Sequence, residues 1–352
     1  KVNKLLVEDR IFFNGGTKLG VENIPSDAIS QIDILENYNE IDFLKGLNNT
    51  ESIALNVKLK EGKKEFVFGD LSVGLGEKPF KSLGTNLFYY AEKETMNVIS
   101  DFNNVGKEVF TLIDYLQFTT KINEVFSGDF SFQPQDFKIL MDQKDFISNH
   151  QRFGALNISK TISSKLKGSS YVMVHKIDAL NKKEQINTFD QFVELYSGQR
   201  NTDSFFLVGE LKLNYTPNKN WQLNLVSNYR QNKLEEFGTE SSFTNLQEMA
   251  NIFNTEQSFL PKDYNNHLEV HANINDKQKV SLFSGYQHHQ NQYHELWNAP
   301  VNLFSAILPI ENQENTAVSQ LSARKTNHFQ FIFKHFWTLN SASQIHTTLN
   351  SS

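Results

Sequence analysis

The sequence contains no cysteine, only seven prolines among its 352 residues, and no excess of positive charge. Without cysteine the chain can form no disulfide, no thiolate metal site and no thiol nucleophile. Its formal net charge of -6 argues against the basic surface that nucleic-acid binding needs, so we expect no nucleic-acid partner. No apolar run approaches the ~18 residues of a transmembrane helix, which excludes that kind of membrane segment.

Aromatic residues are plentiful instead, because they make up 12% of the chain and include 30 phenylalanines. Such residues favour β-strands. A mean hydropathy of -0.47 is compatible with strands that cross a membrane, since half of the residues in such a strand are polar. The length allows two ordinary domains or one large β structure, and the composition favours the second.

The strand pattern is clearest between Phe205 and Arg230, where two alternating segments flank a short connection at residues 216–220. One face is apolar and the other is polar or charged, as the period of two in a pleated strand requires. The apolar face carries Phe205, Leu207, Leu211, Leu213, Tyr215, Trp221, Leu223 and Leu225, and the polar face carries Glu210, Lys212, Asn214, Gln222, Asn224, Asn228 and Arg230. Tyr215 and Trp221 flank the connection, where aromatic rings with a polar edge favour the headgroup boundary of a membrane. The stretch is therefore predicted to be a β-hairpin.

A soluble antiparallel sheet would also alternate in this way, so the hairpin alone leaves both kinds of protein open. Similar alternation returns in about ten segments, and the connections between them alternate between short and long. Outer-membrane barrels sort their connections in this way, with short periplasmic turns and long extracellular loops. We therefore predict an all-β fold, an antiparallel transmembrane β-barrel that is incomplete in this chain. The short turns are predicted near 92–94, 163–165, 216–220, 275–278 and 340–343, and the long irregular segments near 103–149, 177–203, 231–266 and 288–318.

Residues 1–64 differ from the rest and are predicted to form a small α+β unit. Residues 5–13 are a strand candidate, and alternation in residues 52–60 predicts a strand that leads into the barrel. Pro25 is predicted to start a helix, with Ser26 or Asp27 as its cap. The apolar stripe of that helix would run through Ile29, Ile32 and Leu35.

Three stretches of this unit carry recognisable motifs. They are Leu6-Val7-Glu8-Asp9-Arg10, then Ile24-Pro25-Ser26-Asp27-Ala28-Ile29 with Ile32-Asp33-Ile34, and then Leu55-Asn56-Val57-Lys58-Leu59-Lys60-Glu61. Together they resemble the C-terminal part of the plug domain in TonB-dependent outer-membrane receptors of the Bacteroidetes type. Arg10 stands where that family has glycine, and beyond residue 64 the resemblance rests on pattern alone.

The resemblance implies the C-terminal part of a plug domain at residues 1–64 and the N-terminal part of a transmembrane β-barrel at residues 65–352. It implies a receptor in the cell outer membrane of a Gram-negative bacterium, which takes up a nutrient ligand and is energised from the inner membrane. The expected partners are outer-membrane lipid, an unknown extracellular ligand, and a TonB-type energy-coupling protein that contacts a region upstream of this sequence. The alternative is a surface protein, an adhesin or assembly subunit, that uses the barrel only as an anchor.

No motif for catalysis, nucleotide binding or a zinc protease occurs, so the sequence predicts no enzyme, no catalytic residue and no cofactor. His288, His289 and His294 lie near the end of a predicted strand and are the candidate ligand-binding residues. These imidazoles suggest a metal site, but a polar strand end entering a wet loop explains them as well, and we predict no metal site. His267 and His271 share the polar face of a strand and are predicted to line the lumen.

Overall fold

The computed structural model describes residues 2–11, 26–36, 38, 53–62, 65–77, 79–107, 146–245, 251–299, 316–340 and 343–351. These residues form two β-sheets, one of four strands and one of twelve. The prediction of an all-β, largely antiparallel fold is confirmed. The small sheet ends at Leu59 and the large sheet begins at Phe66, while the division into two domains at residue 64 stays a prediction.

No helix in the described part of the chain is long and apolar enough to cross a membrane.

The small sheet contains β1 (Val2–Val7), β2 (Arg10–Ile11), β3 (Ile29–Leu35) and β4 (Ile53–Leu59), in the order β2-β1-β4-β3. β1 and β4 run parallel, and the other pairs are antiparallel. The strand predicted for residues 52–60 corresponds to β4. Its residues Val57 and Leu59 pack with Leu5 and Val7 of β1, so the two central strands supply the core of this sheet.

The helix predicted from Pro25 is wrong. Residues 26–28 form one 3-10 turn, and β3 follows at once and pairs with β4. The stripe at Ile29, Ile32 and Leu35 fits helical spacing, but β-branched isoleucines favour a strand and the pairing with β4 decides the outcome. The small unit is therefore a β-sheet rather than an α+β unit over the residues described.

The strand predicted for residues 5–13 is broken by a two-residue turn at Glu8 and Asp9, whose φ angles are 50° and 62°. Both residues adopt the left-handed backbone conformation that usually favours glycine. The Glu8 carboxylate accepts a hydrogen bond from the Leu59 backbone N–H at 2.6 Å, and the Asn56 amide donates to the Asp9 carboxylate at 2.7 Å. Arg10 lies after this turn, so it does not occupy a left-handed position.

The large sheet follows sequence order from one edge to the other. Its strands are β5 (Phe66–Leu75), β6 (Lys81–Ala91), β7 (Glu94–Asn103), β8 (Phe146–Ser163), β9 (Leu166–Thr188), β10 (Val193–Asn218), β11 (Trp221–Thr244), β12 (Asn251–Phe259), β13 (Lys262–Asn275), β14 (Gln278–Ala299), β15 (Thr316–Asn340) and β16 (Ser343–Ser351). β12 and β13 both pair with β11 and β14, so they form one strand interrupted at Leu260–Pro261, where proline lacks an N–H. Within the described residues the edge strands β5 and β16 do not pair with each other, so the sheet is open.

The small sheet defines the inner face of the large sheet. Leu5, Val7 and Leu59 share one apolar cluster with Phe88 and Tyr90 of β6. The face of the large sheet on which these aromatic side chains lie is called the inner face, and the opposite face is called the outer face. The sequence-predicted plug segment therefore packs against β6 from the inner side.

The hairpin predicted between Phe205 and Arg230 is formed by β10 and β11, and their register continues without a break from Glu194↔Thr244 to Tyr215↔Leu223. Leu211 lies on the outer face with 40% of its surface exposed. Lys212, its neighbour, lies on the inner face and pairs with Glu210 at 2.9 Å. The predicted assignment of apolar and polar residues to opposite faces agrees with this register.

The short connections lie together at one end of the large sheet. Strand ends leave two residues in each of the turns at 92–93, 164–165, 219–220 and 276–277. We call this the short-turn end. β5 also begins there, since Phe66 pairs with Tyr90 just before the first of these turns.

The prediction of long irregular segments near 177–203, 231–266 and 288–318 is wrong over much of their length, because strands occupy most of these residues. β9 and β10 leave only residues 189–192 between them, and β11, β12, β13 and β14 cover most of the other two segments. In these extensions both faces carry polar side chains, so the alternation that reveals a half-buried strand disappears although the backbone pairing continues. Most of the segment predicted near 103–149 lies outside the described residues.

Candidate functional site

Aromatic side chains form two rows on the outer face. The first row, at the short-turn end, contains Tyr215, Trp221 and Trp337; the second contains Tyr229, Tyr264, Tyr286 and Phe329. In the second row the rings of Tyr264 and Tyr286 are 6.3 Å apart, and those of Tyr286 and Phe329 are 4.8 Å apart. The two rows are called the aromatic girdles.

The spacing of the girdles matches the apolar layer of a membrane. Trp221 and Tyr229 are eight residues apart on β11, and Phe329 and Trp337 are eight apart on β15. Eight residues of an antiparallel strand span roughly 27 Å along the strand, close to the ~25 Å apolar band of outer-membrane barrels before allowing for strand tilt. Most side chains between the girdles are apolar, and several of them are exposed, including Leu211, Leu268 and Phe331.

Beyond the second girdle the outer face becomes charged. Lys176 contacts Asp203 at 3.1 Å and Asp178 at 3.5 Å, and Arg152 contacts Asp178 at 3.5 Å. Half-exposed ion pairs of this kind require water or polar headgroups around them. The apolar band therefore ends at the second girdle, and the strands continue past it.

The inner face has the opposite composition. Its buried polar side chains include Asn97, Asn103, Gln151, Asn157, Gln222, Asn232 and Ser281. A central apolar patch is also present, in which Phe206 and Met173 surround His175. Only 2% of His175 is exposed and neither ring nitrogen has a partner among the described atoms, while its ring meets Phe153 edge-on at 5.9 Å.

The three histidines predicted as ligand-binding residues do not lie together. His289 is on the inner face, where its Nδ1 lies 2.5 Å from the Asp263 carboxylate. His288 and His294 are on the outer face and contact Asn327 at 2.6 Å and Ser319 at 3.1 Å. Within the described part of the chain, no three His, Asp or Glu side chains converge as a metal site would require. A role of these residues in ligand binding stays a prediction.

The register places His289 in a charged network that sequence reasoning missed. Asp263 on β13 lies between Arg230 on β11 and His289 on β14. The Arg230 Nε donates to Asp263 at 2.7 Å, and a second guanidinium nitrogen donates to the same carboxylate oxygen. The only signal in the sequence was the position of Arg230 on a polar face, since its partners lie on other strands.

His271, predicted to line the lumen, is fully buried on the inner face. Its Nδ1 lies 2.8 Å from the Ser281 hydroxyl and its Nε2 lies 3.3 Å from the Glu269 carboxylate. Serine, histidine and glutamate in this order resemble the arrangement of a hydrolytic triad. Neither His271 nor Ser281 has any exposed surface, so a substrate has no access to the hydroxyl, and the three groups act as a buried network instead.

The inner face beyond the second girdle combines aromatic and charged groups. Arg200 contacts Glu240 at 3.3 Å, and the Gln257 amide donates to the Tyr293 hydroxyl at 2.9 Å. Trp297 stacks against Phe253 with ring centroids 6.3 Å apart. Such a wall offers rings and hydrogen-bonding groups to a polar ligand that enters from this end.

No protein-family model matches the chain, and no curated protein matches its sequence. Solved structures do match it. The ferric-catecholate import receptor Fiu from E. coli K12 is 7% identical with a TM-score of 0.34, and the match covers 99% of this chain and 62% of that one. The ferric yersiniabactin uptake receptor FyuA from Yersinia pestis is 7% identical with a TM-score of 0.25, covering 98% of this chain and 54% of that one.

The ferric citrate transporter FecA is 8% identical with a TM-score of 0.32, and the match covers 93% of this chain and 50% of that one. The chain thus spans between 50% and 62% of the length of these three proteins. Identities and TM-scores this low assign neither a ligand nor an activity. The resemblance to TonB-dependent outer-membrane receptors is in line with these matches, while the Bacteroidetes type and the assignment of residues 1–64 to a plug domain stay predictions.

Proposed function

We propose that this chain is part of an outer-membrane receptor that takes up a nutrient ligand through a plugged β-barrel in a Gram-negative bacterium. The observation that carries the proposal is the outer face between the two aromatic girdles. It is mostly apolar, with exposed apolar side chains from Leu71 on β5 to Leu349 on β16 and only a few small polar ones, such as Ser227, Asn266 and Ser284, among the residues that the structure describes. A soluble monomer rarely exposes an apolar patch beyond a few hundred Å², whereas lipid covers such a band without cost.

The small sheet supports transport rather than anchoring alone. Its core residues pack on the inner face of the large sheet, where a plug would block the lumen. An adhesin or assembly subunit that uses the barrel only as an anchor has no need of a separate sheet on that face. A surface protein that uses the barrel only as an anchor is the alternative function. The proposal also includes a TonB-type protein as the energy-coupling partner.

In this proposal the ligand enters from the end opposite the short turns. Rings and charged groups on the inner face of that end, such as Trp297 and Arg200, would contact it first. An inner-membrane complex of the TonB type would then act on the plug from the short-turn end. None of the residues in the buried Ser281 network takes part in chemistry on the ligand, because the proposed function is transport.

The first test is the location of the protein. After expression in a Gram-negative host, we expect the full-length protein to fractionate with outer membranes and to need detergent to stay in solution. A matched control is a periplasmic protein from the same cells, which should stay in the soluble fraction. Recovery of a monodisperse protein without detergent would overturn the proposed location and, with it, the proposed function.

A further inference from the structure

A polar cavity lies at the short-turn end, between the small sheet and the inner side of the large sheet. Its volume is about 530 Å³. Asp9, in the left-handed turn between β1 and β2, and Tyr38, after β3, form one wall. Residues of β8, β9, β10, β11 and β13 and of the turn at 164–165 form the rest. The walls therefore belong to both sheets, and movement of the small sheet would change the cavity.

Lysines dominate the charge of this cavity. Lys160, Lys165, Lys167 and Lys212 line it, against the two carboxylates of Asp9 and Glu269. The register of β8 places the Lys160 side chain on the outer face, so its ammonium group does not point into the cavity. Both carboxylates already have partners: Asp9 lies 2.6 Å from the Lys58 ammonium, and Glu269 lies 3.3 Å from His271. Lys58 lowers the pKa of Asp9 through this hydrogen bond, so the Asp9 carboxylate stays ionised and bound to Lys58 of the small sheet.

Two of the four lysines are already paired as well. Lys160 contacts Glu94 at 2.7 Å, and Lys212 contacts Glu210 at 2.9 Å. Lys165 and Lys167 have no carboxylate at ion-pair distance among the described residues, although Lys167 is close enough to influence the carboxylate of Asp9. Within the described part of the chain, these two ammonium groups are therefore the ones left for a mobile anion.

The neutral side chains of the walls can donate as well as accept hydrogen bonds. Three of them already donate within the protein: Thr216 donates to Asn214, and Asn214 and Gln222 donate to Asn224. Hydroxyls of Ser159, Ser169 and Thr216 and the side-chain amides of Asn214 and Gln222 line the cavity beside the lysines. Ser169 lies directly opposite Lys212 in the register of β9 and β10, and Lys167 is on the same face two residues earlier. Ammonium groups and the hydroxyls of Ser159 and Ser169 around one cavity are groups that bind carboxylate, sulfate or phosphate oxygens.

We propose that this cavity is a binding site for the anionic group, a carboxylate, sulfate or phosphate, of a hydrophilic ligand that leaves the lumen at the short-turn end. The proposal rests on the proposed transport function and deepens it, because it assigns a charge to the ligand and a place to its exit. Lys165 and Lys167 contact the anion, and the hydroxyl of Ser159, opposite Ser169 in the register of β8 and β9, donates a hydrogen bond beside them. The Glu8–Asp9 turn closes the cavity from the side of the small sheet.

These 352 residues contain no cysteine, so a single thiol introduced among them reacts without background from this chain. Ser169→Cys in the full chain, purified in detergent, is treated with a negatively charged sulfonate and a positively charged trimethylammonium methanethiosulfonate. Each rate is divided by the rate of the same reagent with a small free thiol. Because a focused positive field raises the local concentration of an anion, we expect the normalised ratio to favour the sulfonate roughly tenfold or more.

Charge variants show whether the lysines cause this preference. Lys165→Gln together with Lys167→Gln, in the Ser169→Cys background, should bring the ratio close to one, and Lys165→Arg with Lys167→Arg should retain it. Millimolar inorganic phosphate should slow the sulfonate in the parent and leave the Gln variant unaffected. If the normalised rate ratio were near one in the parent, or unchanged in the Gln variant, the cavity would be a solvent-filled gap and not an anion-binding site. The reaction needs neither membrane insertion nor uptake, so the location experiment can fail while this result stands.

Discussion

At the scale of single residues, the alternation of side chains along a strand places neighbouring residues on opposite faces of the sheet. Leu211 and Lys212 are adjacent on β10, yet one lies on the outer face between the girdles and the other pairs with Glu210 on the inner face. Because the period of a strand is two, one residue of slip in register would place the lysine in lipid and the leucine in the lumen. Cross-strand pairing over the length of β10 and β11 fixes this assignment.

Leu211→Arg tests whether the outer face meets lipid. In a membrane near the midplane, the substitution should lower the free energy of unfolding by roughly 2–4 kcal/mol. In water it should cost little, since 40% of Leu211 is exposed and an arginine could extend from that position. The measurement is denaturant-induced unfolding of the full-length protein refolded into lipid vesicles.

Gln199→Arg is the matched control, because Gln199 is exposed on the outer face of the same strand but beyond the second girdle. It should leave the free energy of unfolding unchanged. If the two substitutions lowered the free energy of unfolding equally, residues 211 and 199 would lie at the same depth in lipid, and Leu211 would not lie in an apolar band.

Single residues also show where sequence reasoning stops. Arg230 could be placed on a polar face from alternation alone, but its contact with Asp263 depends on the pairing of β11 with β13 across 33 residues. The same alternation assigns His288 and His289 to opposite faces, so adjacent histidines in the sequence do not make a shared site. Contacts within a sheet are set by register between strands, and no local pattern records that register.

At the scale of elements, the turn between β10 and β11 is held at the boundary of the apolar band by Tyr215 and Trp221. Both rings are partly exposed on the outer face, at 43% and 46%. Replacing both by alanine should reduce assembly into lipid vesicles severalfold, because aromatic rings with a polar edge favour the membrane interface. A protein already folded in detergent should unfold at nearly the same denaturant concentration with and without these rings.

The paired measurement separates an interfacial role from a packing role. Tyr171→Ala is a suitable comparison, because the Tyr171 ring is buried in the apolar cluster of the inner face. Its removal should destabilise the protein both in lipid vesicles and in detergent. If the double variant at Tyr215 and Trp221 behaved like Tyr171→Ala, the two rings would belong to a protein core, and the first girdle would lose its membrane interpretation.

The strands themselves were predictable where one face is apolar and the other polar. β10, β11 and β13 show this pattern between the girdles, and the turns that follow β10 and β13, Lys219–Asn220 and Asp276–Lys277, fall within the short connections predicted at 216–220 and 275–278. The extensions of β9, β10 and β11 beyond the second girdle were not predictable, because the outer face is polar there and the inner face mixes polar residues with apolar ones such as Ile177 and Leu234. The strands therefore lack a regular alternation of apolar and polar residues. β3 was missed for another reason: its isoleucine spacing fits a helix, and only pairing with β4 decides for a strand.

At the scale of the whole molecule, the two sheets give the structure a direction. The small sheet packs on β6, and β5 begins at the short-turn end, close to the point where the chain leaves β4. In the proposed receptor the plug is reached from the periplasm by the energy-coupling protein. The short-turn end should therefore face the periplasm, and the opposite end, with the connections at 189–192 and after Asn245, should face outward.

Epitope tags test this direction. A tag inserted after Asn245 should be bound by antibody on intact cells, since β11 ends there at the end opposite the short turns. A tag near Asn218, in the turn between β10 and β11, should be bound only after the outer membrane has been permeabilised. Both insertions lie outside the apolar band, so neither should prevent assembly, and total tag in detergent extracts serves as the expression control. Labelling of the Asn218 tag alone on intact cells would reverse the assignment of sides, and the anionic cavity would then open toward the medium as an entry site rather than an exit.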